Sequence, residues 1–332
     1  MYELLGICLV LTALLAVNSL ASLFFTAVWR LGKNRLTNLS ANTRAEILFA
    51  LRALPPALAL VCAGILIAPA YLTHEPRVTH EIVSTKLATL ALLSATALVF
   101  ALWRACRAWL ATRSLLRGWS RLSQPIDLHD LAIPTFRIEH SFPIIAVVGS
   151  FKPRLFIATK VLEALTEEEL AAAIAHERGH LFARDNLKRL SLRACRDLLM
   201  LVPLGRSLDR AWAQAAEAAA DEHAARENPD RALNLASALI KIAKMVPARE
   251  RAEVPLGAYL LGAEENQGVK ARIRRLLDIA SDGIDQRDNR WLRIAQVISL
   301  GTFAVFAITA ACDPRVLIRV HEVIEHTVAL LC

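Results

Sequence analysis

The chain has 332 residues, 55% of them hydrophobic and only 21% charged, with a mean hydropathy of +0.40; this excludes an ordinary soluble globular protein and points to a membrane. A formal net charge of +8 and a pI near 9.5 would suit a nucleic-acid partner, but the cations cluster beside apolar runs and no DNA-reading motif accompanies them. Nucleic acid is therefore not an expected partner, and lipid headgroups are.

In chain order, the first elements are candidate membrane helices. A helix needs about 20 residues to cross the hydrocarbon core, and four uncharged runs approach or exceed this: 4–29, 53–73, 87–103 and 294–312, the third being the shortest. The first run is too long for the core of a signal peptide and has no basic residues before it, so it reads as a span. Pro55, Pro56 and Pro69 interrupt the second, where a kink is expected near Pro55 and Pro56.

Basic residues give the orientation. Arg30, Lys33, Arg35 and Arg44 follow the first span with no acid before Glu46, and Arg104, Arg107, Arg113, Arg117 and Arg121 follow the third with none before Asp127. Both segments are expected in the cytoplasm and both termini outside, with residues 1–103 forming three spans, 104–293 a cytoplasmic domain, 294–312 a fourth span and 313–332 a short extracytoplasmic tail. Six cysteines form no CxxC; Cys312 and Cys332 would share the outer side, where a disulfide is chemically allowed.

Within the inserted domain, Phe142 to Val148 and Arg154 to Thr159 read as strands joined by the turn Gly149-Ser150-Phe151-Lys152-Pro153. Thr166-Glu167-Glu168-Glu169 is a capping box that starts a helix, and Leu170, Ile174 and Leu181 give that helix an apolar stripe. It carries His176-Glu177-Arg178-Gly179-His180, an HExxH pattern that places two imidazoles on one helical face with a carboxylate beside them. The next helix runs from near Asp185 to Pro203, and its apolar end, Leu198 to Val202, fits either the membrane interface or a core. A third, alanine-rich helix carries Arg210 to Glu227.

A hydrolytic zinc site uses three protein ligands and an exchangeable water, so HExxH needs a third ligand. Glu217-Ala218-Ala219-Ala220-Asp221 puts two carboxylates on one face among small side chains, giving Glu217 as candidate ligand and Asp221 as the group that orients a ligand imidazole; the competing reading is a solvated acidic face that also includes Asp209, Glu222 and Glu227. Glu177 is the candidate base that deprotonates zinc-bound water. His223 is a candidate transition-state stabiliser, with a surface histidine as its plain alternative, and no tyrosine or arginine suggests itself for that role. His74, His80, His321 and His326 would all lie outside, where a pH or metal sensor is the sharper reading and plain surface histidines the alternative.

The ordered series of Gly149 and Pro153, Ala175 to His180, Arg184-Asp185-Asn186, Pro203-Leu204, Glu217 to Asp221 and Arg272-Ile273-Arg274-Arg275-Leu276-Leu277 resembles the BlaR/MecR-type membrane zinc metallopeptidases of the gluzincin group. The resemblance implies a mainly α membrane protein: four transmembrane helices, with an α+β gluzincin-type peptidase domain inserted between spans three and four. It implies one zinc ion per chain, protein or peptide substrates, and a role in antirepressor-type regulated proteolysis with a cytoplasmic repressor or a membrane sensor as partner. Only Asp313 to Cys332 follow the last span, too few residues for the outer sensor domain that many such proteins carry, so a sensor-less member is expected. Substrates in this group lie along an edge strand, for which Arg154 to Thr159 is the candidate, with an interior strand as the equal alternative. The alternatives are an HtpX-like quality-control protease, with the same site chemistry, and a catalytically silent signalling scaffold.

Overall fold

The computed structural model describes residues 2–77, 83–127, 133–197, 205–226, 228–246, 266–283, 302, 306, 309–310 and 312–331. Helix α1 (Tyr2–Leu36) is followed by α2 (Ala41–Val61), whose first turn is capped by Ser40 Oγ accepting the Thr43 N–H. Pro55 and Pro56 lie inside α2 without ending it; the departure from α geometry comes later, in a π-helical segment, Cys62–Ile67, that leads into α3 (Ala68–His74). Helix α4 (Thr85–Leu122) starts at Ser84, which caps the Leu87 N–H.

Three rods, Tyr2–Leu36, Ala41–His74 and Thr85–Leu122, are long and apolar enough to cross a membrane. The expected fourth span, 294–312, lies almost wholly outside the described residues, as do Leu198 to Val202, His80 and Cys332. The third rod also continues well past residue 103, so the expected boundary between membrane and domain falls inside one helix.

A four-stranded sheet follows: β1 (Ser123–Ile126), β2 (Thr135–Ile138), β3 (Ile145–Val148) and β4 (Arg154–Ala158), in the order β1-β2-β4-β3. β3 and β4 form the expected antiparallel hairpin, with Gly149 at φ 110, where a Cβ would sit 2.8 Å from the Lys152 carbonyl. β4 pairs parallel with β2 on its other side, so it is interior. The edge reading of this strand is therefore corrected to the interior one: β1 and β3 are the edges, because the second partner of β4 comes from a segment before the hairpin whose four residues carry little strand signal.

Helices α5 (Thr159–Ala164), α6 (Glu167–Ala183), α7 (Asp185–Asp197), α8 (Gly205–Ala225), α9 (Pro229–Met245) and α10 (Asn266–Asp282) complete the domain. Its main core joins the sheet to α6, α9 and α10 through Ile144, Leu155, Phe156, Ile157, Leu235, Leu239 and Leu276, all fully buried. A second core unites Ala45 and Leu48 of α2 with Leu192 of α7 and Leu208, Trp212, Ala215 and Ala216 of α8. Residues 313–332, expected to be a tail, contain helix α11 (Pro314–Leu331), whose Leu317, Ile324 and Val328 pack against Leu5, Cys8 and Leu9 of α1 and Ala70 and Tyr71 of α3.

Candidate metal centre

The site begins with a well-anchored helix. The Thr166 capping box is formed in full, and Glu169, besides closing it, accepts hydrogen bonds from Ser237 Oγ at 2.6 Å and Lys241 Nζ at 2.7 Å, tying the start of α6 to α9. Further along, α6 and α8 approach so closely that a Cβ on Gly179 would lie 2.9 Å from the Ala220 Cα. This contact sets HExxH against the alanine-rich face of α8, and the small residues flanking Glu217 permit it.

The result brings His176, His180 and Glu217 together, with one donor atom from each within 4.8 Å of the others. His176 Nε2 lies 3.6 Å from Glu217 Oε2, and His180 Nε2 lies 3.6 Å from Glu217 Oε1. The other nitrogen of each ring faces a carboxylate: His176 Nδ1 is 2.9 Å from Asp221 Oδ1, and His180 Nδ1 is 2.7 Å from Asp185 Oδ2. A carboxylate on Nδ1 favours a proton there, so Nε2, on the Glu217 side, is the nitrogen each ring would offer a metal.

Asp185 is one of two groups that sequence reasoning missed, Arg272 being the other. Arg184 closes α6 in the left-handed conformation at φ 54, with its N–H returning to the His180 and Leu181 carbonyls, so α7 starts at a sharp angle and the Asp185 carboxylate reaches back to His180. The neighbouring Asn186 donates its Nδ2 to the carbonyls of Val147 at 2.9 Å and Gly149 at 3.2 Å, fixing this corner to the edge strand. Glu177 is buried and its Oε2 accepts the Val147 N–H at 3.1 Å. Both outward-facing backbone groups of Val147 are thus engaged by the site.

Arginines complete the electrostatics. Arg272 of α10 binds Asp221 through two hydrogen bonds, Nη2 to Oδ1 at 2.7 Å and Nε to Oδ2 at 3.0 Å, and its Nη2 stands 3.4 Å from both ring nitrogens of His176. Arg189 of α7 donates to Glu217 Oε1 at 3.0 Å. Burial alone would raise the Asp221 pKa, but the Arg272 charge and the His176 hydrogen bond overcome it and hold the carboxyl at about 2. Burial likewise works against the Glu217 carboxylate, and the imidazoles of His180 and His176 with the Arg272 guanidinium keep it well below the usual range. In the absence of a metal, burial pulls the His180 pKa down while Glu217 and Asp185 together push it up to about 10.

The donor set fits a divalent metal. Glu217 Oε2 is buried and accepts no hydrogen bond; Arg272 Nη1 is 3.2 Å away but outside hydrogen-bond geometry. Two imidazole nitrogens and this carboxylate oxygen face one another, each braced from behind.

His223 does not join this set. It is half-buried with its ring 5.3 Å from that of Phe182, and it lines a neighbouring cleft of about 390 Å³ together with Gly179, Asp185, Ala220 and Arg226, and Asn42 and Glu46 of α2. Glu222 also has a structural place, accepting the Ala41 N–H at 3.3 Å and pairing with Arg275. The acidic face of α8 is therefore divided between the site and the docking of α2.

No curated protein matches the chain. Its sequence does match, over residues 74–276 and thus over more than half its length, the family model described as BlaR1 peptidase M56, and the chain belongs to that family of membrane-associated metallopeptidases.

Proposed function

We propose that the chain is an integral membrane zinc endopeptidase that holds one zinc ion on His176, His180 and Glu217 and cleaves protein substrates at the cytoplasmic face of the plasma membrane. One observation carries the reading: two imidazole Nε2 atoms, each fixed by a carboxylate on the opposite nitrogen, face a buried carboxylate oxygen that accepts no hydrogen bond. When bound, zinc supplies Lewis-acid polarisation of the scissile carbonyl and lowers the pKa of water.

The chain's own residues supply the rest. Glu177 is anchored through Oε2 on the Val147 N–H, so Oε1 is the oxygen that accepts the proton of the attacking water and passes it to the leaving amine. Asp221 and Asp185 hold the imidazole tautomers, and Arg189 and Arg272 keep Glu217 and Asp221 ionised. A scaffold that only binds partners has no use for this combination of base and ligands.

Packing supports the cytoplasmic assignment. The basic α1–α2 junction lies on the peptidase side: Lys188 Nζ donates to Glu46 at 2.6 Å, and Arg52 pairs with Asp209 at 3.1 Å. Membership of the BlaR1 peptidase family favours regulated cleavage of a repressor, directed by a membrane sensor partner or by a stimulus acting on the spans, over general protein disposal.

The test is a comparison of protein termini, by mass spectrometry, in cells carrying equal amounts of wild type and Glu177→Gln. New termini on a small set of cytoplasmic proteins with the wild type alone are expected. Termini spread over damaged membrane proteins would favour quality control, and identical termini would overturn proteolysis.

A further inference from the structure

The rod Ala41–His74 reaches the peptidase at its first turn and a second histidine–carboxylate cluster just beyond its last. At 1.5 Å per residue the two ends are about 50 Å apart. Glu75 caps α3 and its side chain is only 4% exposed. His321 and Glu325, one helical turn apart on α11, face it.

His321 Nε2 lies 3.9 Å from Glu75 Oε2 and 3.8 Å from Glu325 Oε1, and donor atoms from all three lie within 4.8 Å of one another. These separations are too long for hydrogen bonds. They are close to the 3.6 Å spacings of the first centre. Zinc ligands roughly 2.0–2.2 Å from a tetrahedral ion stand about 3.3 Å from each other, so the two separations from His321 exceed that spacing by about half an ångström.

Two further observations point the same way. The Nδ1 of His321 is buried and makes no hydrogen bond, so the ring's polar outlet is Nε2, on the carboxylate side. Packing of Leu317, Ile324 and Val328 places α11 without help from these polar groups, so the ligands are held in position beforehand. The His74 ring, 5.8 Å from that of His321, closes one side.

We propose that Glu75, His321 and Glu325 form a second divalent-cation site of zinc type, at the end of the membrane rods opposite the peptidase, clamping α11 to α3. The cation there acts as a brace. The inference is independent of the proposed peptidase chemistry.

The test uses the full-length, tag-free chain in detergent, stripped with a chelator and dialysed against buffered free Zn²⁺. Wild type is expected to bind one equivalent more than His321→Gln and one more than Glu75→Gln, with both variants retaining the equivalent that His180→Ala removes. Glu325→Gln, at a side chain 47% exposed and outside the core, supplies a variant that leaves the packing intact and is expected to lower zinc affinity at least tenfold at this site. Equal zinc content and affinity in wild type and all three variants overturns the second site. Unchanged content in His180→Ala would instead overturn the first.

Discussion

The two histidine–glutamate clusters share a helical i, i+4 spacing and differ in what stands behind the imidazoles. At the peptidase end, each Nδ1 rests on a carboxylate from another turn or helix, Asp221 at 2.9 Å and Asp185 at 2.7 Å. At the far end, the Nδ1 of His321 has no such partner. Spacing alone can bring ligands together, but orienting them takes groups delivered by tertiary structure, and of the two only the first cluster has braced rings and a buried carboxylate, Glu177, next to one of them in sequence.

The largest effect that would break this contrast is loss of metal. His176→Ala, His180→Ala and Glu217→Ala are each expected to lose the peptidase-site zinc and reduce substrate cleavage to background; full occupancy in Glu217→Ala would show that another residue is the third ligand. Next, Glu177→Gln is expected to keep its zinc while cleavage falls by about 10²–10⁴-fold, read from a substrate assay run beside metal analysis. Retention of cleavage would remove Glu177 from the mechanism.

Smaller effects sharpen the comparison. Asp221→Asn and Asp185→Asn are each expected to weaken zinc affinity by about 10 to 100-fold, because the ligand ring loses its brace. Titration with a competing chelator measures this, and wild-type affinity in both variants would mean that the carboxylates do not orient the rings.

The smallest effect is a pH dependence. In metal-stripped protein the Asp221 carboxyl titrates at about 2 rather than the ordinary 3.8, so its ionic contribution is present above the ordinary value and is lost as pH falls through about 2. That difference corresponds to about 2 kcal/mol. The gap in thermal stability between wild type and Asp221→Asn should therefore be flat from roughly pH 5 to 8 and narrow below about pH 4. A gap that widened on acidification would contradict the assigned ion pairing.

Much of the site could be read from the sequence, because its parts repeat along single helices. HExxH and Glu217 to Asp221 are each one turn of helix with the required residues on one face, and the capping box marks where α6 starts. Asp185 and Arg272 were not legible as site residues. One acts through the left-handed turn at Arg184, and the other arrives from α10, fifty-one positions beyond its partner Asp221.

The edge strand failed for a related reason: strand order depends on which distant segment pairs with a hairpin, and β2 carries only four residues of signal. The three apolar rods were visible as uncharged runs, but the continuation of α4 past residue 103 was not. Hydropathy falls where the arginines begin, while the helical hydrogen bonds continue unbroken.

The docking of α2 on α8 changes what counts as the enzyme. Ala45 and Leu48, on a helix that enters the bilayer, fill the space beside Leu208, Trp212, Ala215 and Ala216, directly behind the turn that carries Glu217. A fragment cut at residue 104 would leave that wall open to water, exposing apolar surface that favours aggregation. A bilayer whose thickness changes the tilt of the rod would load the same wall from the side. Lipid, in this fold, is part of the solvent in which α8 is folded.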